Sequence, residues 1–229
     1  MPTRKADHKV PGRVLVIYLI LFFAAWTASE LLLVPRLAGL SPLTFTLVRD
    51  VGLKCLIWLL PALLLIRRYD GALAVRRRSL FRRPRSWTLC LEILALFAVC
   101  LLAGNLVRNR GLAIAPGFGI PEVLWLCFVG LTEETVFRGW LLNGLLSPED
   151  LEKESPPWRP TALVTVLFLF IHFPIWIRTG AFDTNLTGGA FLSIMVLGAV
   201  FAWTLWKSRT LTVPILLHTF WDLLVTLLA

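Results

Sequence analysis

Residues 124–146 read LWLCFVGLTEETVFRGWLLNGLL, an apolar run that nevertheless carries Glu133, Glu134 and Arg138. A helix needs ~20 apolar residues to cross a hydrocarbon core. Ionisable groups inside such a run are costly and by default mark function. The stretch therefore implies lipid outside the helix and a polar cluster within the bundle. Composition agrees: 57% of the chain is apolar and the mean hydropathy is +0.76, against ~45–50% apolar for a soluble domain.

Outward from this run, further apolar stretches fall at 14–34, 43–66, 88–107, 160–177, 188–206 and 213–229. The basic N-terminus precedes an apolar run without a small-x-small cleavage site, so it reads as a retained first helix rather than a signal peptide. With that N-terminus cytoplasmic, the cytoplasmic segments collect Arg4, Lys5, Lys9, Arg13, the eight arginines of 67–85, Lys153, Arg159, Lys207 and Arg209. The opposite side collects only Arg36, Arg108, Arg110 and Arg178. This four-to-one bias follows the positive-inside rule. The expectation is an all-α polytopic transmembrane helix bundle of about seven spans with its N-terminus cytoplasmic.

The net charge of +9 resides largely in segment 67–85. It reads as a topology signal and a contact for anionic lipid; no recognition motif accompanies it, so nucleic acid is not expected as a partner. Cys55, Cys90, Cys100 and Cys127 stand singly without CxxC spacing and read as small buried hydrophobes.

Three sets of intramembrane polar residues remain. In LTEETVFRG, Glu134 and Arg138 are four apart and share a helix face, so they are expected to pair, leaving Glu133 free for acid–base work. In LFLFIHFP, Pro174 frees a backbone carbonyl that could accept from His172. In LLHTFWD, His218 and Asp222 are four apart on one face. At ~1.5 Å per residue, Glu133 lies ~20 Å from the cytoplasmic end of its helix, His172 ~18 Å, His218 ~9 Å and Asp222 ~15 Å. All four can meet in one layer. A carboxylate with two imidazoles suggests water activation: Glu133 as general base, His172 holding the water, His218 donating to an oxyanion. A Zn²⁺ ion held by Glu133, His172 and His218 is the variant reading, although no HExxH occurs. Two other classes stay open. One is a proton-coupled transporter using Glu30, Asp50, Glu92 and Glu133; the other is a non-enzymatic scaffold or immunity factor. Arg49, Asp50 and Lys54 read as a local ion-paired face of the second helix.

EETVFR (Glu133 to Arg138), FLFIH (Phe168 to His172) and HTFWD (His218 to Asp222) resemble the EExxxR, FxxxH and HxxxN/D motifs of the CPBP family, which holds type II CAAX prenyl proteases and bacterial Abi proteins. The resemblance implies an intramembrane endopeptidase acting on a membrane-associated peptide or protein in the bacterial cytoplasmic (inner) membrane. It assigns catalysis to Glu133, His172, His218 and Asp222, with Glu134, Arg138 and Phe168 in support, and leaves glutamate-type and metal-dependent chemistry both open. It also divides the chain into a two-helix region with a basic loop, 1–87, and a catalytic helical core, 88–229. An asparagine at the last motif position would donate, whereas ionised Asp222 only accepts. Asp222 is therefore expected to orient His218 or to ligate a metal.

Overall fold

The computed structural model describes residues 9–228; Arg4 and Lys5 of the charge count lie outside them. Among the described residues there is no strand, and the apolar stretches become helical rods. These are α1 (Gly12–Leu37), α2 (42–68), α3 (Thr88–Asn109), α4 (120–145), α5 (Trp158–Arg178), α6 (Gly189–Ser208) and α7 (Thr212–Leu227). Four of them, α1, α3, α5 and α6, are long and apolar enough to cross a membrane by length and composition alone. Charges interrupt α2 and α4, and α7 is shorter. Many large apolar side chains point outward, such as Ile20, Leu21, Leu91, Leu96 and Val99. Apolar surface of this extent facing outward on helices of membrane-spanning length belongs against lipid. The protein is an integral membrane helix bundle.

Local chemistry sets the helix ends. α2 begins at Pro42, where Ser41 Oγ accepts from the Thr44 N–H. α4 begins at Ile120–Pro121, and the Glu122 carboxylate accepts the Gly119 N–H at 2.8 Å. Within α4 the backbone widens to π-type over Thr135–Leu142, and every one of those residues is buried. Such widenings cluster at functional sites. α5 is broken at Ile171–His172, just before Pro174, whose ring cannot continue the hydrogen-bond ladder.

Small residues allow the rods that carry the polar cluster to approach closely. A Cβ on Gly130 of α4 would lie 2.5 Å from Thr219 Oγ1 and 3.0 Å from the Ile215 carbonyl of α7. A Cβ on Gly198 of α6 would lie 2.9 Å from Thr165 Cγ2 of α5. An aromatic cluster closes the other flank: Trp58 of α2 meets Trp26 and Phe22 of α1 edge-on at 4.8 and 4.9 Å between ring centroids. Trp26 Nε1 then donates to the Ile171 carbonyl at 2.9 Å. That bond ties α1 to the break in α5.

The cysteine expectation is corrected in part. Cys90 is buried and Cys55 partly so, but Cys100 and Cys127 are exposed. Their surroundings outside the bundle are lipid, so an apolar side chain there does not require burial in protein.

Candidate active site

The close approach of α4 and α7 at Gly130 brings the next turn of α4 against His218. Glu134 Oε1 accepts from His218 Nδ1 at 2.7 Å and from an Arg138 guanidinium N–H at 2.9 Å. Glu134 and Arg138 are both completely buried. Arg138 also donates to the Gly198 carbonyl at 2.9 Å and lies over the Phe168 ring, 4.4 Å from its centroid. The expected Glu134–Arg138 pair is present, and its histidine partner is an addition that spacing along α4 does not reveal.

Glu133 is not free, contrary to the expectation from α4 alone. Its Oε1 accepts from Lys54 Nζ of α2 at 2.9 Å, with both residues buried. Lys54 also lies 5.2 Å from the Trp58 ring centroid, within cation–π range. The local face expected in α2 is corrected accordingly. Asp50 pairs with Arg49 at 2.6 Å, and Arg49 pairs with buried Glu30 of α1, which Arg178 of α5 also holds at 2.9 Å. Lys54 therefore turns to α4. Glu92 is exposed on α3.

The second oxygen of Glu133, Oε2, lies 3.8 Å from His218 Nε2, and Asp222 Oδ2 lies 3.4 Å from the same nitrogen. The His218 ring stacks on Phe201 at 5.0 Å. Phe168 stands between the two imidazoles, 5.9 Å from the His218 ring and 5.5 Å from that of His172. His172 Nδ1 is 3.1 Å from the Phe168 carbonyl, which the bent backbone leaves available because the His172 N–H bonds Leu169 instead. The carbonyl involved is thus that of Phe168, four residues back, and not one released by Pro174. All seven motif residues converge, and Lys54 joins them from outside the motifs.

Each nitrogen's role follows from its partner. A carbonyl and a carboxylate only accept, so Nδ1 carries the proton in both His172 and His218. The His172 Nε2 is then the acceptor, and among the described residues no hydrogen-bond partner holds it. Three carboxylates, Glu133, Glu134 and Asp222, face two fixed cations, Lys54 and Arg138. One further proton neutralises the cluster.

Among the described residues no three His, Cys, Asp or Glu side chains converge at a spacing that would hold a metal ion. The Lys54 ammonium already sits on Glu133, where a dication would be repelled. As arranged, Glu133, His172 and His218 do not fit Zn²⁺.

Residues 86–224 match the family model described as type II CAAX prenyl endopeptidase Rce1-like. The chain belongs to this family. No curated protein and no solved structure matches it. The resemblance read from the three motifs is thereby confirmed, and the Rce1-like match spans all of α3 to α6 and most of α7. It leaves out α1 and α2, the source of Lys54.

The shortest contact of His218 is with Glu134, so Glu134 rather than Asp222 is the residue that holds its ring. Losing the carboxylate that holds a catalytic imidazole's tautomer and orientation costs up to about 10⁴-fold in activity. Asp222→Asn is therefore expected to stay close to wild type, and Glu134→Gln to fall well below it. Peptide cleavage rates of the two variants check this ordering; the reverse order would return the orienting role to Asp222.

Proposed function

We propose that the protein is an intramembrane endopeptidase of the bacterial cytoplasmic membrane that hydrolyses a peptide bond in a membrane-associated peptide or protein. One observation carries the reading most: a carboxylate and two oriented imidazoles, from three helices, meet in a buried cluster. A water against Glu133 Oε2 loses its proton to that carboxylate, while the acceptor nitrogen of His172 orients it. The Lys54 ammonium holds the other Glu133 oxygen and fixes the carboxylate plane. His218, when protonated at Nε2, donates to the oxyanion that forms on the scissile carbonyl as the water adds, and Glu133 then gives its proton to the leaving amine as the C–N bond breaks. Phe168 packs against both imidazoles, and Arg138 holds the Phe168 ring and the Glu134 carboxylate behind them.

The transporter reading requires carboxylates that can pass a proton along. Glu30 and Asp50 are instead tied to Arg49 and Arg178. The chemistry proposed is glutamate-type. Wild-type protein stripped with a chelator is expected to cleave candidate membrane-associated peptides at its untreated rate. Activity lost with chelator and restored by Zn²⁺ would overturn the glutamate-type mechanism. No cleavage of any such peptide, with proton-coupled flux instead, would overturn the peptidase reading.

A further inference from the structure

Two segments distant in sequence build a basic concavity of ≈ 840 Å³ whose lining includes none of the motif residues. Arg82, Arg83 and Arg85 reach it from the basic loop, Lys207 from the last turn of α6 and Arg209 from the turn between α6 and α7. The two segments are stitched through their backbones. Thr210 Oγ1 donates to the carbonyls of Leu80 and Arg82 at 2.9 and 2.7 Å, and the Leu211 N–H donates to Leu80 at 2.7 Å. With those carbonyls satisfied by threonine and backbone, the guanidinium groups remain at the wall.

The five cations there outnumber the carboxylates. Glu152 is the one carboxylate among the residues lining the concavity. Among the described residues, none of Arg82, Arg83, Arg85 or Lys207 is ion-paired. Arg209 donates to the Leu151 carbonyl and holds a left-handed backbone (φ 59°), a conformation strained for a residue with a Cβ. Burial holds the Arg209 guanidinium below the ordinary arginine range, with Glu152 opposing that shift and Arg85 adding to it. Ser86 and Thr88, at the start of α3, add hydroxyls to the wall. Exposed Trp87 and Phe81 flank it, as aromatic side chains do at headgroup depth.

A topology signal requires positive charge on one side of the membrane, from any residues of the loop. It does not require five cations from two segments to share one concavity with hydroxyl donors. We propose that this concavity is a binding site for the phosphate of an anionic lipid headgroup, taken from the leaflet in which the basic loop lies. The site is independent of the peptidase reading.

The test uses the full chain in detergent, with bound lipid counted by native mass spectrometry after exposure to phosphatidylglycerol or phosphatidylcholine. Wild type is expected to retain phosphatidylglycerol in preference to phosphatidylcholine. Each removed cation weakens retention about fivefold, taking ~1 kcal/mol per basic residue. Arg82→Gln/Arg83→Gln and the distant Lys207→Gln are both expected to lose retention. Arg77→Gln/Arg78→Gln, on the same loop but outside the concavity, is expected to match wild type. Equal losses in that control, an unchanged Lys207→Gln, or no lipid preference would overturn the proposal. Displacement of the lipid by millimolar inorganic phosphate would assign the site to free phosphate instead.

Discussion

Glu133→Gln is expected to lower the cleavage rate by about 10²–10⁴-fold, the range that a positioned general base contributes. The amide keeps the shape of the side chain and an oxygen for Lys54, but it cannot take a proton from water. The substitution also leaves the Lys54 ammonium buried without its counter-charge. Breaking one side of a buried pair is destabilising, whereas removing both sides is close to neutral. The variant is therefore expected to melt at a lower temperature. The double variant Lys54→Met/Glu133→Gln is expected to regain the midpoint and stay inactive. Recovery of activity along with the midpoint would make Glu133 a structural residue only.

Arg138→Met is expected to be the most damaging substitution to the fold, costing about 3–5 kcal/mol through the unpaired charge it leaves. Arg138 is completely buried. Its guanidinium neutralises Glu134, bonds the Gly198 carbonyl of α6 and covers the Phe168 ring of α5. Methionine fills comparable volume but leaves the Glu134 carboxylate with only His218. A second substitution, Glu134→Gln, is expected to recover part of the loss, because it removes the stranded charge. Thermal or denaturant midpoints of purified protein check both; an unchanged midpoint for Arg138→Met would mean that water reaches the cluster and screens it.

Hydrophobic length alone marks α1, α3, α5 and α6, because lipid favours apolar helices of that length, whereas α2 and α4 were legible despite their charges and α7 despite its shortness. The i,i+4 rule also located Glu134 against Arg138 and Asp222 against His218, since both spacings act within one helix. What it missed crosses between helices. Lys54 is four residues beyond Asp50 and looks satisfied there, yet Arg49 takes Asp50 at 2.6 Å and Lys54 crosses to Glu133, 79 positions away. The Glu134–His218 bond depends on the approach that Gly130 permits, which no pattern within α4 or α7 announces. The π-type widening of α4 left no trace in the sequence either, because it shifts hydrogen-bond partners by one residue without altering composition. Exposed Cys100 and Cys127 show a related effect: in a bilayer, an apolar residue is equally at home inside the bundle or outside it.

The central claim is that Glu133 and His172 act on one water. It is tested most directly by cleavage rates of chelator-treated wild type, Glu133→Gln, His172→Ala and the double variant, on one membrane-associated peptide. Groups that work as a unit are non-additive. The double variant is expected to be no slower than the worse of the two single variants. Losses that multiply, or a Glu133→Gln protein that cleaves at the wild-type rate, would contradict the shared water.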